Sequence, residues 1–167
     1  MVKFQMANLA LRYLSVVAGS NELSTDGDSY ETESIRSHVD YDSWNIKNDI
    51  AVVKLKTPII FSDKVKAIDL KTEYWVGNIP DNLQHINLKS VTSEDCAQRL
   101  NDNTVDRTHV CTLTKADESA CHRDCGSALV TNKQIGIVSF GRPCVQGYPD
   151  IYTRVSSFKD WIAQNRH

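Results

Sequence analysis

The chain lacks three features, each of which would have placed it in a broad class. No apolar run approaches the length a helix needs to cross a bilayer. Charge of one sign is missing too: 19 basic against 21 acidic residues leave a net charge of −2. That balance gives no electrostatic footprint for nucleic acid or an acidic membrane, so neither is expected as a partner. The N-terminal stretch MVKFQMANLALRYLSVVAGS also lacks an unbroken apolar core, because Gln5, Asn8 and Arg12 interrupt it. A secretory leader needs such a core, so none is expected there. What is present suits an ordinary globular protein. The 167 residues are 41% hydrophobic and 24% charged, enough for one compact domain or two small ones. Five cysteines make an odd count. Two disulfides and one free thiol would fit an oxidising compartment, but spacing alone does not choose among the possible pairings.

Local pattern predicts mostly short strands. Leu14 to Ala18 followed by Gly19-Ser20-Asn21 predicts a strand ending in a turn. Asp26-Gly27-Asp28 predicts a hairpin turn in preference to a metal loop. Further strands are expected at Val52 to Leu55, Leu83 to Val91, Val110 to Leu113, Gln134 to Phe140 and Tyr148 to Val155. His85 falls in one of them as an exposed strand residue. Ser93-Glu94-Asp95 ahead of Cys96, Ala97 and Leu100 predicts a short helix with acid at its N-terminus. A final helix is expected from Ser156 to Ile162, with Ser157 and Asp160 as a capping box and Phe158, Trp161 and Ile162 on one face.

The most informative stretch is Ala120 to Val130, A-C-H-R-D-C-G-S-A-L-V, a polar turn entering a buried strand. It resembles the active-site loop of chymotrypsin-like serine proteases, C-x-G-D-S-G-G-P-L-V. Cys121, Asp124, Gly126, Leu129 and Val130 match that pattern. Cys125 stands at the nucleophilic Ser, Arg123 at an oxyanion-hole Gly, Ser127 at a second Gly and Ala128 at the Pro. Asn48-Asp49-Ile50-Ala51 with Val52-Val53-Lys54-Leu55 resembles N-D-I-A-L-L-K-L, in which the Asp orients the catalytic His. Ser139-Phe140-Gly141 resembles the S-W-G segment that pairs with bound peptide. Asn78 to Gln84 is similar to the corresponding loop of insect, especially wasp-type, chymotrypsins.

The resemblance implies an all-β fold, an incomplete chymotrypsin-like double β-barrel closed by a C-terminal α-helix. The first barrel would be partial and the second would lack its first strand, because neither a T-A-A-H-C nor an I-V-G-G motif occurs and no Gly-Trp-Gly strand follows Leu70. Residues 1–10 match nothing in the family pattern, and 11–167 would be one partial protease domain. The resemblance further implies disulfides Cys96–Cys111 and Cys121–Cys144, with Cys125 left unpaired. It makes Asp49 the catalytic acid, Cys125 the substituted nucleophile, and Arg123 and Cys125 the oxyanion-hole positions. The position of the catalytic His is unfilled. His38 lies on the segment leading to Asp49, not where the family's base lies. Ser119, Ser139, Phe140, Gly141 and Asp150 would line the substrate pocket. An acid at Asp150 favours a basic side chain there if the pocket forms, the alternative being a turn Asp after Pro149. Asp124, in the family stabilised by a new N-terminal amine, would be unpaired or turned outward, leaving the loop zymogen-like or disordered.

Acyl transfer on this fold needs nucleophile, base, orienting acid and oxyanion hole together. The expectation is therefore an inactive, secreted, monomeric protease homologue, needing no cofactor or metal, whose partners are peptide or protein substrates or inhibitors. The alternatives are an incomplete sequence of a secreted serine endopeptidase, a non-catalytic binding or decoy homologue, a cysteine protease using Cys125, and a zinc site of Cys121, His122, Cys125 and Cys144. The last is the least favoured, because the disulfides explain those cysteines better.

Overall fold

The computed structural model describes residues 14–20, 27–70, 88–113, 120, 124–141 and 147–166. Strand β1 (Ser15–Ala18) alternates out and in, burying Val16 and Ala18 while Val17 faces solvent. It pairs antiparallel with β2 (Asp28–Ser37), Ala18 opposite Asp28. Gly27 stands at this hairpin because a Cβ there would lie 2.6 Å from the Val17 side chain and 2.9 Å from the Ala18 carbonyl. The remainder of the expected turn lies outside the described residues. Strand β3 (Ala51–Leu55) pairs with the far side of β2, giving a three-stranded sheet in the order β1-β2-β3. Val53, Leu55, Ile59 and Val65 cover its core of Val16, Ala18 and Tyr30.

The second sheet has the order β4-β5-β8-β7-β6, from β4 (Lys89–Val91), β5 (His109–Leu113), β6 (Ala128–Val130), β7 (Gln134–Gly141) and β8 (Asp150–Arg154). The strand expected over Leu83 to Val91 is β4, of which residues 83–87 lie outside the described ones. So do residues 71–82, where the family's first strand of the second barrel is expected to be missing. Helix α1 (Ser93–Leu100) begins as its sequence requires. Thr92 caps it by accepting the Asp95 amide at 3.1 Å, and Glu94 and Asp95 lie in the first turn. A disulfide joins Cys96 on α1 to Cys111 on β5, both fully buried. The pairing implied by the family resemblance is thus present, while Cys121 and Cys144 lie outside the described residues.

All five residues of β8 are buried, although three are polar. It is the central strand, so both faces are covered, and each polar side chain has a partner. Asp150 Oδ2 accepts the Ala120 amide at 2.9 Å. The Thr153 hydroxyl donates to the Asp49 carbonyl at 2.8 Å. Arg154 donates from Nε to the Arg107 carbonyl at 2.9 Å and from Nη2 to the His109 carbonyl at 2.6 Å. Burial of such groups is tolerable only with these bonds made.

The C-terminal segment differs from expectation. A 3-10 turn, Val155–Phe158, precedes helix α2 (Lys159–Asn165), whose start has no side-chain cap. No capping box forms, because the Ser157 hydroxyl donates to the Arg107 carbonyl at 3.4 Å instead. Tertiary docking of the 3-10 turn takes the hydroxyl that the local sequence offered to the helix.

The disulfide closes a loop with a sequence separation of 15 residues. Replacing Cys96 and Cys111 together by Ala is expected to destabilise the fold by about 3 kcal/mol, read as a lower urea midpoint with a somewhat steeper slope as the unfolded chain expands. An unchanged midpoint would show that the cross-link contributes nothing.

Candidate active site

Asp49 ends a loop that leaves β2 and returns as β3. The loop is fixed by its own polar groups. Asp42 accepts the Trp44 and Asn45 amides and the Asn45 side chain, and the Asn48 side chain donates to the Asp40 carbonyl at 2.8 Å. Ile46 and Asn48 both adopt left-handed backbone, at φ 50° and 54°. That is ordinary for Asn and strained for a β-branched residue such as Ile.

The Asp49 carboxylate then meets β7. The Ser139 hydroxyl donates to its Oδ2 at 2.6 Å. Ser139 can do so because β7 bulges there: Val138 pairs with Tyr152 and Phe140 with Ile151, leaving Ser139 between them. The carbonyl of the same Ser139 accepts the Cys125 thiol at 3.8 Å. Cys125 is an exposed free cysteine on a turn tied to β7. Gly126 donates to the Val138 carbonyl, Val138 donates to the Ser127 carbonyl, and the Ser127 amide donates to the Asp124 carbonyl at 2.8 Å. Residues 124–127 therefore form a bonded turn, and Asp124 is exposed, the outward alternative of the two expected. One residue, Ser139, thus links Asp49 to Cys125. Burial and the charges of Asp49 and Asp42 push the nearby Tyr41 phenol above its usual range.

The other expected site residues fall as follows. Asp150 is buried at the start of β8 opposite Gly141, not in an exposed turn. Burial chiefly, with the charge of Asp124 also raising it against the Ala120 amide, pushes its carboxyl up to about 6. A Cβ at Gly141 would stand 3.8 Å from Asp150 Oδ1, an ordinary van der Waals distance. Phe140 packs edge-on against His109, ring centroids 5.7 Å apart, and against the cluster around Cys96 and Ile151. His38 lies against Phe158 and Trp161, at centroid distances of 5.6 and 5.0 Å, and its Nδ1 accepts the Asp40 amide. Ser119, Cys121, His122, Arg123 and Cys144 lie outside the described residues. Among the described residues no cluster of three metal-ligating side chains occurs. Two contacts on Asp49 escape sequence reasoning: its bonds to Ser139 and to Thr153. Nothing local marks either partner, because both reach Asp49 from the other sheet.

The two-sheet β fold thus places Asp49 just before β3 and Cys125 on a turn linked to it through Ser139. The trypsin family model matches residues 7–162, and the chain belongs to that family. It is 34% identical to Chymotrypsin-2 of Vespa crabro over 92% of this chain and 78% of that protein. It is 26% identical to Trypsin delta of Drosophila melanogaster, over 96% of this chain and 71% of that one. A solved HL collagenase structure superposes with a TM-score of 0.80 at 26% identity, covering 91% of this chain and 75% of the collagenase. The fold is accordingly chymotrypsin-like.

Two outcomes test this geometry. Ser139→Ala removes a hydrogen bond to a carboxylate and is expected to cost about 1.5–3 kcal/mol in denaturant titration; a neutral effect would mean that water replaces the hydroxyl freely. Asp150 keeps its proton in the fold to about 6, against an ordinary value of 3.8. The unfolded chain therefore releases this proton first, and stability falls as pH rises through that window. Asp150→Asn should lose that part of the slope of Tm against pH; parallel profiles would show that the carboxyl is not held neutral.

Proposed function

We propose that this chain is a chymotrypsin-like serine protease homologue that keeps the scaffold of the site and does not turn over substrate. The observation that carries the reading is the Asp49–Ser139–Cys125 arrangement, with a thiol at the nucleophile position. A thiol attacks as thiolate and needs a base or cation to lower its pKa. The two described histidines are engaged elsewhere, His38 with Phe158 and Trp161, and His109 with Asp106. Neither T-A-A-H-C nor any other family His motif occurs in the sequence. Loss of a triad member costs up to about a millionfold in rate, and loss of an oxyanion donor about 100- to 1000-fold; Arg123 stands where the family pattern has Gly.

On this reading the chain, as a monomer without cofactor, binds a peptide or protein along the Ser139-Phe140-Gly141 edge. Asp150 is the acid of the adjoining pocket. The Cys96–Cys111 disulfide supports an oxidising, extracellular location. Among the described residues no helix is long and apolar enough to cross a membrane.

The test is hydrolysis of chromogenic peptide esters with basic and aromatic side chains, by the protein as it stands and by Cys125→Ser. Both are expected to match the buffer blank, while one thiol per chain reacts with an alkylating agent. Turnover abolished by alkylating that thiol would overturn the reading in favour of a cysteine nucleophile.

A further inference from the structure

The loop between β2 and β3 leaves large apolar side chains in water. Trp44 is 91% exposed, Val39 87% and Tyr41 46%. The backbone beneath them is fixed all the same. Asp42 and Lys47 exchange backbone hydrogen bonds at 3.0 and 3.1 Å, and the His38 amide closes the neck of the loop on the Ile50 carbonyl at 3.0 Å. The Trp44 amide donates to Asp42 Oδ1 at 2.9 Å. The His38 ring seats the neck against Phe158 and Trp161. Trp44 is thus a solvent-facing aromatic side chain on a pinned backbone, so a partner that meets it does not bear the cost of ordering the loop. Trp and Tyr in such a setting are the side chains that dominate protein interfaces.

Charge selects the occupant. The loop carries Asp40 and Asp42, and its one lysine, Lys47, is taken by Asp106 at 3.5 Å. Asp40 bonds through its backbone, its amide donating to His38 Nδ1 and its carbonyl accepting the Asn48 side chain. Its carboxylate is exposed and has no partner among the described residues. The Asn45 side chain, with the Asn45 and Trp44 amides, holds the Asp42 carboxyl below the usual carboxylate range, so it stays ionised. An indole face beside carboxylates attracts a cation through the ring quadrupole and the charges together. Arginine suits this better than lysine, because its flat guanidinium stacks on the ring and its fork still donates to a carboxylate. We propose that the loop from Val39 to Lys47 is a docking surface for an arginine-bearing segment of a partner protein, with the guanidinium stacked on Trp44 in the field of Asp40 and Asp42. This surface does not depend on the reading of Asp49 and Cys125 as catalytic positions.

Titration of the isotope-labelled protein with an acetylated Gly-Arg-Gly-Arg-Gly amide, followed by chemical shift, tests the proposal. Peptides with Lys or Glu in place of Arg are the comparisons. The Trp44 indole N–H and the amides of residues 39–47 are expected to move with the Arg peptide, less with the Lys peptide and not with the Glu peptide. Trp44→Ala should weaken binding of the Arg peptide by about three- to thirtyfold, and Asp40→Asn by about two- to fivefold. Both side chains lie in water, so neither variant should unfold the protein, and an unchanged Tm checks this. Added salt should weaken the binding. No response to the Arg peptide, an equal response to the Glu peptide, or unchanged affinity in Trp44→Ala overturns the proposal. Shifts confined to residues 139–141 overturn it as well, while supporting peptide binding along that edge. A response in the loop with none at 139–141 upholds the proposal and counts against binding at that edge, so the two readings fail separately.

Discussion

The contacts made by Asp49 hold the molecule's working region together. Its carboxylate takes the Ser139 hydroxyl and its carbonyl takes the Thr153 hydroxyl, both from the sheet opposite its own. A half-buried carboxylate left bare would be costly, so these bonds are conditions of the two sheets meeting at all. Because Ser139 also offers its carbonyl to Cys125, the position of Cys125 follows from that of Asp49. The bulge in β7 is the local device that allows one residue to face both ways.

Around this point the sheets are joined by polar contacts more than by a shared apolar core. The three apolar clusters each lie within one sheet and the segments packed on it. Between the sheets stand Lys47 with Asp106, His109 with Ile46, and the Gln134 amide on the Asp69 carbonyl at 3.0 Å. Hydrogen bonds are directional and apolar burial is not, so such a junction fixes geometry closely while adding modest net stability.

The strand pattern was legible wherever the chain alternates or runs apolar between turn residues. Val52 to Leu55, Val110 to Leu113 and Gln134 to Phe140 lie within β3, β5 and β7. The acidic first turn of Glu94 and Asp95 announced α1. The end of β8 was less legible. Tyr148 to Val155 reads as one apolar strand, yet Val155 already belongs to the 3-10 turn and Ser157 bonds Arg107 instead of capping α2. Local propensity offered the hydroxyl two uses, and packing chose between them.

The sequence by itself determined the family and the run of strands, because these are carried by contiguous motifs and by period. Only the tertiary structure decided what their residues touch. Ser139 was legible as part of a peptide-binding segment, but its bond to Asp49 joins residues 90 positions apart. His109, just outside the strand expected over Val110 to Leu113, is the first residue of β5 and is almost fully buried. Asp150 was legible as an acid, but its held proton comes from burial in the central strand. Hydrogen bonding and desolvation across the sheets act at distances in space that no local pattern encodes.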